Sequence, residues 1–340
     1  MTALYILSGI AGIIILIILL KFAQLFVGNR RTERERCELR DKNISSMGAV
    51  EKLSILPLVD FFTDDENLRT EAGVSYLIRA DETKILLDTG FNRNGEHPSP
   101  LLHNMTALNI DPEKIDMIFI SHLHLDHVGG LRDSRKKTFS ISQGFVPLRK
   151  IPVYAPGEVA ASQWNPGPRV IEVTEPEVLQ KGIATLGVIP RNLFLMGPVY
   201  EQSLVINLKK KGLVVIIGCG HQTIERILDR VASVFDEKVY AIIGGLHLPV
   251  NGGRIKLGPL DIQNMVGSDR VPWKGVTEDD VAGAIRAVEK AAPSFISLSP
   301  HDSSDWAIEQ FRKAFGDRYH DLKVGTKLKP GSRVKEKTRI

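Results

Sequence analysis

Ile115-Asp-Met-Ile-Phe-Ile-Ser-His-Leu-His-Leu-Asp-His-Val-Gly-Gly130 carries the most informative pattern in this 340-residue chain. Its first six residues are mostly apolar, which is typical of a strand buried on both faces. Neutral imidazole and carboxylate are ligands for Zn²⁺, Fe and Mn²⁺, and the closing Gly-Gly pair allows the backbone to fold tightly around one point. The stretch therefore predicts a metal site at the end of a core strand, in preference to a His-rich surface loop. The candidate ligands within it are His122, His124, Asp126 and His127.

Three more histidines follow predicted core strands. His221 follows Val214-Val-Ile-Ile-Gly-Cys-Gly, His247 follows Tyr240-Ala-Ile-Ile-Gly-Gly-Leu, and His301 follows Phe295-Ile-Ser-Leu-Ser-Pro. Loops at one end of the sheets of an α/β protein converge on one crevice, so these side chains can meet the first cluster. The repeated placement favours ligand roles over structural roles for His221 and His301. It does so less strongly for His247. The histidines without this placement, interpreted as surface residues, are His97, His103 and His320.

Asp88-Thr-Gly closes another predicted strand. Its carboxylate is placed to orient a metal-bound histidine by a hydrogen bond. A simple Asx-type turn is the alternative interpretation.

The body alternates short apolar runs with helical patterns, which predicts helices covering two sheets. Thr277 with Asp280 resembles a capping box, and Gly316 is a helix stop signal. The polar, Gly-rich segment 248–274 is interpreted as a cover over the site, with a structureless surface insertion as the alternative. Helices are predicted over 100–108, 223–235, 277–290 and 304–315, and strands over 53–59, 73–78, 84–87, 115–120, 151–154, 203–208, 213–217, 239–243 and 295–298.

Residues 3–27 form an apolar run in which Lys21 is the only charge. Such a run is long enough to cross a bilayer core of about 30 Å. A secretory signal peptide would place positive charge before the run and a cleavage site of small residues after it. Here the arginines follow the run, so we expect an uncleaved single-pass membrane anchor with the body on the cytoplasmic side. The predicted organisation is a transmembrane anchor at 1–27, a charged linker at 28–51, a globular domain at 52–322 and a basic tail at 323–340.

Charge and cysteine content narrow the classes of partner. The basic flanks carry more positive charge than the net +4 of the whole chain, so the body is slightly acidic and a nucleic-acid channel is not indicated. The tail is either solvated or in contact with anionic headgroups. Only two cysteines occur, Cys37 and Cys219, which predicts a reduced compartment and no disulfide framework. An exposed thiol is favoured over lipidation for the first of them.

These motifs resemble the metallo-β-lactamase fold superfamily, over residues 52–305, through Asp88-Thr-Gly, His122-x-His-x-Asp-His, Gly218-Cys-Gly-His and the late His301. Within it the chain is most similar to the branch of 7,8-dihydropterin-6-methyl-4-(β-D-ribofuranosyl)aminobenzene-5′-phosphate synthase-like proteins. The residues that carry this likeness are Glu201-Gln-Ser-Leu-Val-Ile, Lys211-Gly-Leu-Val-Val-Ile-Ile-Gly-Cys-Gly-His and Ile243-Gly-Gly-Leu-His-Leu. The resemblance implies an α/β fold, an αββα sandwich after the N-terminal transmembrane helix, with 52–322 as the metallo-β-lactamase-like domain.

The resemblance also implies a dinuclear site of divalent ions, with Zn expected first and Mn or Fe as alternatives. Asp126 would additionally steer the proton of the attacking water. Carried over by position, His122, His124 and His221 would hold the first ion, and Asp126, His127 and His301 the second.

Three departures from the family pattern concern this site. Many relatives supply Asp or Cys where this chain has Gly244-Gly-Leu-His, so no bridging carboxylate is evident. His247 is then either a ligand in its place or a catalytic acid that contacts the substrate. The branch usually has Ser at Gly220, and a cysteine beside the late histidine, where His301 lies between Pro300 and Asp302.

The sequence therefore predicts a membrane-anchored, metal-dependent hydrolase. Its substrate is expected to be a phosphorylated or ester-type small molecule, with pterin-related synthase chemistry as the narrower form. The alternative is a non-catalytic metal-binding sensor or scaffold at the membrane. No particular oligomeric state is indicated.

Overall fold

The computed structural model describes residues 2–39 and 42–331 and has four layers in the order helix, sheet, sheet, helix. This arrangement confirms the predicted αββα sandwich. The helices are α1 (Thr2–Cys37), α2 (Pro100–Ala107), α3 (Leu131–Lys136), α4 (Ile224–Val234), α5 (Ile262–Val266), α6 (Glu278–Ala291) and α7 (Asp305–Phe315), with 3₁₀ turns at Pro112–Lys114, Pro272–Lys274 and Gly316–Arg318. The strands are β1 (Leu53–Val59), β2 (Ser75–Ala80), β3 (Thr83–Leu87), β4 (Met117–Phe119), β5 (Thr138–Phe139), β6 (Pro152–Ala155), β7 (Ala160–Ala161), β8 (Arg169–Glu172), β9 (Glu177–Gln180), β10 (Ile183–Leu193), β11 (Gly197–Leu208), β12 (Gly212–Ile217), β13 (Val239–Gly244), β14 (Lys256–Leu257), β15 (Leu260–Asp261) and β16 (Phe295–Leu298).

Each large sheet is mixed, and its parallel part carries the site. The first sheet has the order β1-β2-β3-β4-β6-β8, in which β3, β4, β6 and β8 run parallel. The second has the order β16-β13-β12-β11-β10-β9, in which β12, β13 and β16 run parallel. Loops that leave the carboxyl ends of neighbouring parallel strands meet at one edge, which brings the predicted ligands together.

The core has three apolar clusters because both faces of each sheet are buried. In β12, Val214 and Ile216 face the other sheet, whereas Val215 and Ile217 face the layer of α4, α6 and α7. In the first sheet, Leu86 packs toward α2. Strands covered on both sides need apolar residues at every position, which explains why these strands read as unbroken apolar runs.

The helix limits follow local capping chemistry. The capping box between Thr277 and Asp280 is present at the start of α6, as predicted. The Ser304 hydroxyl accepts a hydrogen bond from the backbone N–H of Ala307 at the start of α7. That helix ends at Gly316, which has a φ of 51°. The left-handed backbone favours glycine there, so the predicted stop is confirmed.

The prediction of a charged linker over residues 28–51 is wrong for residues 28–37, which are helical. Helix α1 continues without a break to Cys37, because charged side chains one turn apart pair along it. These pairs are Arg31 with Glu35, Arg34 with Glu38, and Arg36 with Glu33.

The expected tail at 323–340 is also wrong for residues 323–331, which pack on the body. Leu328 pairs with Ile55 of β1, and Val324 pairs with Thr63. The side chains of Val324 and Leu328 are buried, so this segment belongs to the domain. Residues 332–340 lie outside the described residues.

The segment 248–274 has secondary structure of its own, namely the β14–β15 hairpin, α5 and a 3₁₀ turn. The alternative of a structureless insertion is therefore wrong.

Candidate metal centre

Asp88 organises the His-rich loop that follows β4. Its carboxylate accepts hydrogen bonds from the backbone N–H and the hydroxyl of Ser121, at 2.7 and 2.6 Å, and from Nδ1 of His127 at 2.6 Å. The predicted hydrogen bond between Asp88 and a histidine of the cluster is therefore present. A carboxylate on Nδ1 leaves Nε2 of the imidazole facing the cluster as the ligand atom.

The charges around His127 alter its protonation. Burial lowers the pKa of this imidazole, but the carboxylates of Asp88 and Asp126 outweigh burial and raise the pKa of His127 to about 9. The raised pKa favours the protonated form of this ring while no metal ion is bound. A metal ion that binds its Nε2 displaces this proton.

The first predicted ligand group is assembled by both sheets. The ring centroids of His122 and His124 lie 4.5 Å apart, and the ring of His221 lies 5.0 and 4.9 Å from them. Within the described ranges, Nε2 of His122 and both ring nitrogens of His221 are buried without a hydrogen-bond partner. Buried nitrogens normally have partners, so these atoms fit a bound metal ion.

The second predicted group lies beside the first. Oδ2 of Asp126 lies 3.0 Å from Nε2 of His301 and 3.7 Å from Nε2 of His127. The side chain of Asp126 is 22% exposed, whereas His301 and His127 are almost fully buried. Asp126 is thus the acidic ligand candidate that is accessible from the cleft.

Asp60 holds the loop that carries His301 through Ser299. The sequence patterns did not indicate this role of Asp60. Its Oδ2 accepts hydrogen bonds from the Ser299 hydroxyl at 2.7 Å and the Tyr76 hydroxyl at 2.8 Å. The Ser299 hydroxyl in turn accepts the backbone N–H of His301 at 3.2 Å. This chain of hydrogen bonds holds the loop after β16 in place.

Cys219 is the main functional residue that the sequence reasoning missed. Its Sγ lies 3.0 Å from Nε2 of His127, and it belongs to three groups of side chains whose ligand atoms all lie within 4.8 Å of one another. Of the three groups, one contains residues of the first predicted ligand group, and one contains residues of the second. Its position directly before Gly220 and His221, after a core strand, was the available signal. The groups are Asp126, His127, Cys219 and His301; His122, Cys219 and His221; and Cys219, His247 and Asp302.

His247 joins the cluster, as the sequence suggested. Its ring lies 4.4 Å from the ring of His221, and neither of its nitrogens has a hydrogen-bond partner among the described residues. Its φ of 49° is a strained backbone conformation for a residue with a Cβ, which is a common feature of functional sites. Burial lowers the pKa of His247 to about 3, so the ring is neutral at physiological pH. In this form it can bind a metal ion or donate one hydrogen bond to a substrate.

Glu201 holds the loop that presents Cys219 and His221. Its buried carboxylate accepts the backbone N–H groups of Cys219, Gly220 and His221 at 3.0, 2.8 and 2.8 Å. Gly220 has a φ of 75°, and a Cβ there would lie 2.4 Å from the carbonyl oxygen of Gly245. The loop therefore requires glycine at this position, which accounts for the departure from the Ser of the branch.

The donor set fits one or two divalent ions. Imidazole, carboxylate and thiol groups converge from both sheets, and several of their ligand atoms lack any other partner. The remaining histidines contact other groups: His97 contacts Ser142, His103 contacts the carbonyl oxygen of Asn67, and His320 stacks on Phe295.

The segment 248–274 reaches the cluster, in agreement with its interpretation as a cover. Arg191 of β10 donates to the carbonyl oxygen of His221 at 2.6 Å and pairs with Asp269 of the cover at 3.0 Å. At Gly267 a Cβ would lie 2.2 Å from Nε2 of His247, so the cover backbone touches the ring. The cover closes one side of the metal centre.

A cavity of about 510 Å³ opens beside His124. Apolar side chains from several loops line most of it, and Lys137, Glu158 and Tyr200 add polar groups at its wall. A cavity of this size accommodates a small organic molecule. Its apolar lining includes Leu123, Val128, Val159, Met196 and Val199.

Comparison with known proteins agrees with this geometry. Residues 68–189 match the model of the Metallo-beta-lactamase superfamily. The chain is 27% identical over 251 residues to the 7,8-dihydropterin-6-methyl-4-(beta-D-ribofuranosyl)-aminobenzene-5'-phosphate synthase of Methanocaldococcus jannaschii, with 60% of this chain and 81% of that protein covered. The fold of the present chain is similar to the solved structure of Tm1679, a metal-dependent hydrolase of the beta-lactamase superfamily. The TM-score is 0.53 at 23% identity, with 81% of this chain and 98% of that chain covered.

Proposed function

We propose that this chain, whose globular body is a metallo-β-lactamase superfamily domain, is a metal-dependent hydrolase that acts on a phosphorylated or ester-type substrate. One observation carries the proposal: imidazole, carboxylate and thiol groups from both sheets converge beside an open cavity, and several of the imidazole nitrogens have no hydrogen-bond partner among the described residues. A scaffold alone does not require a cavity at the metal centre.

The residues divide the work by exposure and charge. When bound, divalent ions act as Lewis acids and lower the pKa of a coordinated water. Asp126 is the acidic group open to the cleft, and we assign it the proton of the attacking water. His247 is neutral, and we assign it a hydrogen bond to the substrate or a place among the ligands. Arg191 holds the His221 loop and the cover together.

A pterin-related reaction is the second candidate, because the chain is 27% identical to a protein named as a dihydropterin synthase of that type. Bound cations would help a diphosphate leaving group depart by neutralising its charge. Incubation of the metal-loaded chain with the pterin diphosphate and the ribofuranosylaminobenzene phosphate acceptor tests this candidate. Release of pyrophosphate together with formation of the coupled pterin supports it, and the absence of the coupled product removes it.

The membrane anchor is part of the proposal. Within α1, the span Gly9–Cys37 is long and apolar enough to cross a membrane, and 6% of its most apolar window is buried in the body. The arginines that follow the apolar run support an orientation with the body on the cytoplasmic side, because positively charged flanks are retained there.

The hydrolase proposal is tested with His124→Ala and the matched variant His103→Ala, which removes a histidine outside the cluster. We expect about two ions per wild-type chain, as in other two-metal hydrolytic sites. Loss of a ligand should cost at least about 100-fold in turnover, because outer partners of metal ligands already cost 10–100-fold.

The assay combines elemental mass spectrometry with a screen of phosphate esters, lactones and thioesters. His103→Ala should match the wild type in both readouts. Unchanged turnover in folded His124→Ala, or a wild type that binds no added Zn²⁺, Mn²⁺ or Fe²⁺, overturns the proposal. A fully loaded wild type that hydrolyses nothing favours the sensor or scaffold.

A further inference from the structure

Helix α1 does not separate from the domain after its apolar run but docks on β10. The ring of Phe22 packs on Phe194 and on Trp273, with centroids 5.9 and 5.6 Å apart. The side-chain amide of Asn192 donates to the carbonyl oxygen of Leu25 at 3.2 Å and to Oδ1 of Asn29 at 2.8 Å. These contacts hold the body in a set orientation relative to the helix.

The direction of docking shows which part of the body lies nearest the apolar end of the helix. At the end of the contact nearest the C-terminus of α1, the Tyr200 hydroxyl donates to Glu35 at 3.0 Å. At the end nearest the N-terminus of α1, Phe22 meets Phe194, the first residue of the turn between β10 and β11. The rest of this turn, Leu195–Met196, therefore lies toward the apolar end of α1.

The part of α1 that precedes the docked residues is by itself long enough to cross a membrane. Residues 3–21 rise about 28 Å at 1.5 Å per residue, which matches a hydrocarbon core of about 30 Å. With residues 3–21 in the hydrocarbon core, Phe22 and the hairpin turn beside it would lie at the surface of the bilayer.

The side chains at this level are apolar and exposed. Trp273 is 71% exposed, Phe26 is 57% exposed, and Leu195 and Met196 are 56% and 47% exposed. Aromatic side chains with these exposures are typical of the interface between a membrane and water. We call Phe26, Leu195, Met196 and Trp273 the interfacial patch.

The cavity beside the metal centre leads to the same patch. Met196 belongs to the patch and also lines the cavity, and His124 of the first ligand group lines it as well. Between them the wall is mostly apolar, with Leu123, Val159 and Val199 among its residues. This apolar part of the wall is the surface against which a hydrocarbon chain packs favourably.

We propose, on the basis of the proposed hydrolase and its anchor, that the substrate is a lipid of the bilayer that α1 spans. Its ester or phosphoester group lies at the metal centre, and its chain lies in the cavity between His124 and Met196. Hydrolysis adds the oxygen of water to the carbonyl carbon or phosphorus. The ester bond breaks, its oxygen leaves with a proton as an alcohol, and no oxidant or reductant is required.

The test uses the full chain in nanodiscs, loaded with metal. The paired probes are p-nitrophenyl butyrate with p-nitrophenyl palmitate, and butyl with hexadecyl p-nitrophenyl phosphate. We expect kcat/KM to favour the long chain by at least about 10-fold, since one methylene accepted by a hydrophobic pocket is worth that much. The double variant Leu195→Glu/Trp273→Glu should lose several-fold on the long probe and keep its activity on the short one.

Two controls separate the possible results. Phe145→Glu changes another exposed aromatic residue and should behave as the wild type. Independently of activity, brominated acyl chains should quench the emission of Trp273, and the Trp273→Phe variant should lose that quenched fraction. Equal rates on short and long probes, or no quenching, overturn the lipid proposal and leave the hydrolase intact. If none of these probes is hydrolysed but a soluble ester of the broader screen is, the lipid proposal fails alone; no hydrolysis in either screen overturns the hydrolase itself.

Discussion

Cys219 lies between the two predicted ligand groups, where the sequence offers no bridging carboxylate. Its sulfur is within 4.8 Å of ligand atoms from both groups. Burial and the nearby carboxylates of Asp302 and Asp126 raise the pKa of the Cys219 thiol well above its ordinary value, so the thiol stays protonated without a metal ion. A divalent cation reverses this preference, because a coordinating thiol is deprotonated outright.

We therefore expect Cys219 to be a metal ligand. The Co²⁺-loaded wild type should show a thiolate-to-metal charge-transfer band, and Cys219→Ser and Cys219→Ala should lose it. The variants should also bind metal more weakly, because a soft thiolate ligand is missing. Absorption spectra and metal titration measure both effects.

Cys37 provides the matched control for this prediction, since the chain has only two cysteines. Cys37 lies at the exposed end of α1, and Cys37→Ser should keep the band. A band that survives in Cys219→Ser, or one that disappears in Cys37→Ser, contradicts the ligand role.

The distance in sequence between the residues of a site determines how much of the site a sequence pattern can reveal. The ligand candidates of the His-rich stretch are close in sequence, so their spacing was sufficient to predict them. His221 and His301 were found because each follows a core strand. Glu201 and Asp60 act through hydrogen bonds to loops far away in the sequence, and no local pattern indicates such a role.

At the scale of elements, prediction worked where burial alone decides the structure. Strands β1 and β16 have the predicted bounds, because both faces of their sheets are covered. Strand β10 was missed. Its register shifts between Thr185 and Val188, with Gly187 at a φ of 69°, and Pro190 follows within the same strand. Glycine and proline in a sequence are signals that a strand ends. The bulge that accommodates them within β10 is visible only in three dimensions.

The docking of α1 on β10 depends on the absence of a side chain at Gly28. A Cβ at this position would lie 2.3 Å from Oδ1 of Asn192, the residue that holds the helix. Gly28→Leu should therefore separate the helix from the hairpin. The backbone N–H of Phe194, which donates to the carbonyl oxygen of Ser268 at 2.9 Å, should then exchange with solvent faster.

Hydrogen exchange of the chain in nanodiscs measures this effect. Gly12→Leu is the matched control, because a Cβ at Gly12 meets nothing within 4 Å. It should leave the exchange of Phe194 unchanged. Equal exchange in Gly28→Leu and the wild type would show that the docking does not constrain the hairpin.

At the scale of the whole molecule, the metal centre joins the two sheets. His122, His124 and His127 follow a strand of the first sheet, whereas Cys219, His221 and His301 follow strands of the second. Helix α1 approaches the same region through Arg191 and Asp269, which contact the His221 loop, the cover and α1. Bound ions would thus hold together the two halves of the sandwich at its open edge.

Metal removal should consequently destabilise the whole domain. A ligand present at 100 times its Kd stabilises the folded state by about 2.7 kcal/mol. For a domain of this size, at about 2.1 cal/mol/K of unfolding entropy per residue, that corresponds to a fall in Tm of about 4–5 °C on chelation. His124→Ala lacks one ligand and should show a smaller fall, whereas His103→Ala should behave as the wild type. Differential scanning calorimetry of the nanodisc-bound chain, with and without a chelator, measures the shift. If the loaded and chelated wild type unfold at the same temperature, the ions do not link the two sheets, because a ligand that binds only the folded state must raise its Tm.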